Sequence, residues 1–156
     1  MTRALLAAMM LAGAQAHTTR DGVFTDAHAK RGEDVYARAC ASCHAPDLSG
    51  SGQAPPLADA DFAKEWDGQP LADLFERIRT TMPADAPGAL KPAEVADVMA
   101  LLLSKARMPA GSTELPGDAA ALKTITYAAP TRGLGIRDLG FARREDRVSI
   151  RIGRTP

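Results

Sequence analysis

Cys40-Ala41-Ser42-Cys43-His44 decides how this chain is read. Two residues between the cysteines let one turn of backbone carry both thiols to the two vinyl edges of a porphyrin, and the adjacent imidazole then meets the iron from the same side. The run points to one covalently attached c-type haem, with Cys40 and Cys43 as thioether anchors and His44 as proximal ligand. A thioredoxin-like redox pair also uses Cys-x-x-Cys but sits near a βαβ pattern, which is missing here. A zinc site needs ligands beyond these three, and the only other histidines, His17 and His28, lack zinc-finger spacing.

Upstream, Met1-Thr2-Arg3 forms a short positive region, Ala4 to Gly13 is apolar, and Ala14-Gln15-Ala16 is a small-x-small site. Residues 1–16 read as a secretory signal peptide cleaved after Ala16, and the apolar run is too short for a bilayer anchor of about 20 residues. Export to the periplasm suits the cysteines, because thioether bonds remove both thiols from an oxidising surrounding. The 140 residues left suffice for one domain. Seven aromatic residues are a thin supply for a core, and a buried haem would add apolar surface. Residues 17–131 carry 11 basic and 16 acidic side chains, whereas 132–156 carry seven Arg against three acids. An acidic body argues against nucleic acid as partner.

Helical spacing predicts a first helix from about Asp26 to Cys40, capped by Thr25 or Asp26, with Val35, Tyr36 and Ala39 recurring on one face. Gly32 lies one turn before Tyr36 and costs that helix roughly 1 kcal/mol relative to alanine, which suggests close packing there. The expected partner is a helix from about Pro92 to Lys105. Pro92 stands in its first turn, Glu94 and Asp97 face the positive end of its dipole, and Val95, Val98, Met99, Leu102 and Leu103 form its apolar stripe. Another helix is expected from about Leu71 to Thr80. Asp47 to Pro56, rich in Gly, Ser and Pro, reads as loop supported by the haem edge.

The sixth position on iron has several candidates. Met82, followed by Pro83, sits in a loop after the Leu71 helix that can cross the opposite haem face. Its thioether would favour ferrous iron. Met108, a histidine, or an open position are the alternatives, while Met99 belongs to the apolar stripe.

From about Val23 to Leu115 the chain resembles the small class I cytochromes c. The resemblance rests on Gly32 and Tyr36, Cys40, Cys43 and His44, the run Ala54-Pro55-Pro56-Leu57, the Phe62/Trp66 pair, Thr81-Met82-Pro83, and Pro109-Ala110-Gly111. It implies an all-α fold of three to four helices wrapped around one haem. It further implies that the first and last helices cross with Gly32 and Tyr36 against Val98 and Leu102. The Pro55 carbonyl is expected to accept the proximal imidazole N–H, and the Trp66 indole to lie near a haem propionate; Arg77 and Arg79 are further propionate candidates. The phrases Asp47-Leu48-Ser49-Gly50 and Phe62-Ala63-Lys64-Glu65-Trp66 are similar to bacterial periplasmic cytochromes c associated with quinoprotein dehydrogenases.

The expected organisation is thus a signal peptide (1–16), a cytochrome c domain (23–115) and a disordered Arg-rich tail (116–156). Other readings of the tail are an arm for an acidic partner or anionic lipid, a shifted reading frame, or a piece of a larger protein. The function read from these features is one-electron transfer by a monomer that is not an enzyme. It would meet a dehydrogenase donor and an oxidase acceptor in the periplasm, and touch membranes only in transient docking. A subunit of a dehydrogenase complex, or a haem sensor or peroxidase with an open sixth site, are the alternatives.

Overall fold

The computed structural model describes residues 17–130; the expected signal peptide and most of the Arg-rich tail lie outside them. Helix α1 (Asp26–Ala39) starts where the Thr25 hydroxyl accepts the His28 backbone N–H at 3.1 Å. It ends at Cys40, whose N–H still reaches the Tyr36 carbonyl. A single turn, α2 (Ala41–His44), follows, then α3 (Ala60–Trp66), α4 (Leu71–Thr81), α5 (Pro92–Lys105) and the short α6 (Ala119–Leu122). The fold is all-α, as expected, with one small addition. Strands β1 (His17–Thr18) and β2 (Ile125–Thr126) pair in parallel, His17 opposite Ile125.

The crossing of α1 and α5 organises the rest. A Cβ on Gly32 would collide with the Asp97 carbonyl and come within 2.9 Å of the Leu101 Cβ. The contact therefore falls one residue short of the Val98/Leu102 pair expected from the resemblance. Only the missing side chain lets the two backbones approach, so the glycine earns its helix cost back through packing of α5, whose Val95, Met99 and Leu103 are fully buried. Helix α5 begins with the Lys91 N–H donating to the Glu94 carboxylate at 2.8 Å. It closes with paired bonds from Met108 N–H to Leu103 O and Arg107 N–H to Ser104 O around a left-handed Arg107. Met108 is thereby drawn into the core.

Beside this crossing lies a buried polar knot. His28 is 2% exposed; its Nδ1 accepts the Leu115 N–H at 3.3 Å while Nε2 lies 3.2 Å from Asp97 Oδ1. Arg31 bridges Asp97 and Glu114, and the Thr25 hydroxyl also donates to Glu114. Accepting at Nδ1 requires the neutral ring with its proton on Nε2, so the contact with Asp97 is a hydrogen bond between a neutral donor and a carboxylate. Burial accordingly pushes the imidazole below its ordinary 6.5, against the pull of Asp97 and Glu114.

Past Leu115 the structure corrects the expectation of disorder from residue 116. Residues 116–130 fold back over α4 and α3: Asp118 caps α6 through the Ala120 and Ala121 N–H groups, Leu122 is fully buried, and Tyr127 is 1% exposed. The Thr19 hydroxyl donates to Ala128 O and accepts from Ala128 N–H. Two anchoring side chains separated by five residues give no periodic signal, which is why the segment reads as tail. The folded unit accordingly starts at or before His17 and continues at least to residue 130, wider than 23–115 on both sides.

Two outcomes follow from these contacts. Gly32→Ala should cost about 1–3 kcal/mol, toward the upper end because the obstacle is backbone, read by chemical denaturation. The neutral His28 contributes stability that is full above about pH 6.5 and is lost as pH falls through its lowered folded value, since the unfolded chain takes up the proton first. His28→Gln should flatten the loss of stability that sets in below about pH 6.5, measured as denaturation midpoints across pH.

Candidate functional site

Cys40 serves both as the last cap of α1 and the first of α2, where Cys43 and His44 donate back to its carbonyl at 3.1 and 2.9 Å. That one turn sets the thiols three residues apart on the same side, Cys40 half-buried and Cys43 exposed. Burial pushes the Cys40 thiol up, with Arg38 opposing. Ala45 then takes φ 63 and ψ 151, a conformation costing of order 1–3 kcal/mol for a residue with a Cβ. The Tyr36 hydroxyl donates to the Ala45 carbonyl at 2.7 Å and reaches the His44 carbonyl at 3.3 Å, holding the turn. Burial pushes the Tyr36 phenol up to about 12, so it remains a donor.

The His44 ring is held from the other side. Its Nδ1 lies 2.8 Å from the Pro55 carbonyl oxygen; a carbonyl only accepts, so Nδ1 carries the proton and the neutral ring keeps its lone pair on Nε2. The loop that delivers Pro55 is tied to itself. Asp47 Oδ1 accepts from the Ser49 N–H and hydroxyl, Ser51 N–H donates to Ala54 O, and Leu57 N–H donates to Leu48 O. Gly50, at φ 78, donates its N–H to His44 O, and a Cβ there would sit 2.7 Å from both Ala54 O and Pro56 N and 2.8 Å from Pro55 C. Gly50 is thus a part of the site that sequence reasoning passed over as loop composition.

Across from this loop, Met82 ends α4. It is extended at φ −124, as the following proline favours, and its N–H closes the helix on Ile78 O. Trp66 ends α3, with its ring 6.2 Å from that of Phe62. Helix α3 was absent from the sequence reading, although Asp59 caps it through the Phe62 N–H and Phe62, Ala63 and Trp66 have helical spacing.

All six candidate residues, Cys40, Cys43, His44, Pro55, Trp66 and Met82, line one cavity of about 590 Å³. Met108 and Met99 are buried in the core and do not line it. Arg79 is turned to Glu76 at 2.7 Å, whereas Arg77 lines the cavity. Among the described residues no group of three or more His, Cys, Asp and Glu side chains gathers to hold a metal ion, so the zinc reading lacks its ligands. A cofactor-sized cavity, roughly within the 300–1,000 Å³ typical of ligand sites, here carries two thiols, an imidazole with a free Nε2 and a thioether. That donor set fits a c-type haem.

Residues 27–102 match the family model described as cytochrome c oxidase, cbb3-type, subunit III. Over this stretch the chain is similar to a cytochrome c domain. No curated protein and no solved structure matches the chain. The match begins one residue into α1 and ends inside α5, so it takes in the Cys-x-x-Cys-His turn, the Pro55 loop and Met82. A cytochrome c domain implies a covalent haem and electron transfer in general. The 116–130 segment and both strands lie outside it.

The loop and the imidazole are coupled through Gly50. Gly50→Ala should displace the 54–56 backbone, lengthen the His44–Pro55 hydrogen bond and cost about 1–3 kcal/mol. Faster exchange of the His44 Nδ1 proton, seen by NMR, checks it.

Proposed function

We propose that this protein is an exported one-electron carrier with a single covalent haem held by His44 and Met82. The observation that carries the reading is the convergence of both thiols, the Nε2 lone pair of His44 and the Met82 thioether on one cavity. When bound, the haem supplies iron that gains and loses one electron without bond making.

The residues around it do the remaining work. Cys40 and Cys43 anchor covalently, so the cofactor stays in place through repeated turnovers. Pro55 fixes the tautomer and orientation of His44 and raises the basicity of the ligating nitrogen. Met82, held at a helix end by the Ile78 bond, presents a soft sulfur that favours the reduced metal. Phe62, Leu74, Ile78, Val98 and Leu102 give the cavity an apolar lining that keeps water away. Arg77 and the Trp66 indole are its donors for the cofactor's carboxylates, against Asp59, Asp61, Glu65 and Asp85 on the same lining. No substrate is transformed in this reading, and the protein is not an enzyme.

The leader with its site after Ala16 supports a periplasmic location. Among the described residues no helix is long and apolar enough to cross a membrane. Encounters with a dehydrogenase donor and an oxidase acceptor would be small and transient, as redox contacts usually are. A second reading has an observation of its own: the matching family is named for an oxidase subunit, which favours a haem module of a larger respiratory assembly. Co-purification with a larger enzyme separates the two.

Visible spectra of the periplasmically matured protein test the ligands. The wild type should show the weak far-red band of a methionine–ferric iron bond, and Met82→Ala should lose it while keeping covalent haem. A wild-type spectrum that is high-spin and lacks the band means an open sixth position, and a sensor or peroxidase reading replaces the carrier.

A further inference from the structure

Helix α3 supplies two aromatic walls of the cavity, Phe62 and Trp66, from only seven residues. A helix that short has no stability of its own in water, so whatever holds it determines where the indole sits. Its C-terminal end is held by the segment that follows α6. Tyr127 donates its N–H to Gln69 O and accepts the Gly68 N–H at its own carbonyl, both at 2.8 Å, and the Ala129 N–H donates to Asp67 Oδ1 at 2.8 Å. The Tyr127 ring meets Phe62 edge-on, at 6.4 Å between centroids and 79° between planes, and Phe62 in turn meets Trp66. Tyr127 does not line the cavity; it stands directly behind the wall. Its hydroxyl, fully buried, meets no hydrogen-bond partner among the described residues, so its polar hold on this wall comes from the two backbone bonds.

We infer that Tyr127 is a positioning residue for the redox site, setting the Phe62/Trp66 wall from outside the matched cytochrome stretch and thereby tuning the reduction potential of the bound haem. The inference rests on the carrier reading for its second half. A shift in the indole changes both the packing against the cofactor and the donor available to its carboxylate, and burial and hydrogen bonding are two of the levers that set such potentials.

Trp66 is the chain's only tryptophan, so one indole N–H resonance reports its position. We would measure that resonance, the reduction potential and the unfolding midpoint in the matured holoprotein for Tyr127→Leu, Tyr127→Phe and Leu122→Ala. Leu122 lies in the same segment and is equally buried, yet has no aromatic contact with the wall. Tyr127→Leu, which keeps bulk without the ring, should move both the indole resonance and the potential. Tyr127→Phe should leave both at their wild-type values. Leu122→Ala should lower the midpoint and leave both in place. The inference is overturned if Tyr127→Leu leaves the indole unmoved, if the indole moves without the potential, if Leu122→Ala moves them as far, or if Tyr127→Phe behaves as Tyr127→Leu. Failure of the carrier reading itself shows separately, as a wild-type protein that forms no covalent haem or has a high-spin spectrum without the methionine band, while the indole resonance still reports on the wall.

Discussion

The close approach of α1 and α5 at Gly32 is the constraint from which the other positions follow. Once the Asp97 carbonyl sits against a bare Cα, the direction in which α1 runs out into Cys40 is fixed, and with it the turn carrying both thiols and His44. The same crossing brings Asp97 beside His28 and Arg31, so a packing contact and a hydrogen-bonded knot reinforce each other. Burying a neutral imidazole satisfied at both nitrogens costs little, whereas burying the charged ring would leave two N–H donors facing each other at Leu115. The knot therefore locks the start of α1 to the chain beyond α5 without placing an unpaired charge in the core.

At the cavity, three separate restraints converge on one imidazole. Tyr36 pins the carbonyls of the turn, Gly50 bonds the His44 carbonyl and leaves space for the Pro55 backbone, and the Pro55 carbonyl accepts the ring N–H. Together they leave the His44 Nε2 lone pair as the free end of the ring. The opposite wall is assembled differently, from short α3 and the end of α4, and depends on distant chain for support. One side of the site is thus rigid by local bonding and the other by tertiary packing.

What could be read from the residues tracks this division. The bounds of α1, α4 and α5 were legible within a residue, because caps, Pro92 and the 3.6-residue stripe all act locally. Cys40, Cys43, His44, Pro55, Trp66 and Met82 line one cavity, and motif and resemblance were what named them in the sequence. Helix α3 carried a readable cap at Asp59 but is too short for its spacing to stand out. The roles of Tyr36 and Gly50 toward His44 are set by backbone carbonyls that no pattern of side chains announces. Leu122 and Tyr127 bury themselves against helices 50 residues or so upstream, and such long-range burial leaves no local period; hence the folded segment 116–130 reads as tail in the sequence.

The parallel pairing of His17–Thr18 with Ile125–Thr126 has an architectural consequence. It brings the two ends of the described chain side by side, stitched by Thr19 to Ala128. A unit whose ends lie together can be joined into a longer polypeptide without rearrangement. Extending such a unit at both ends is then a matter of continuing two neighbouring strands.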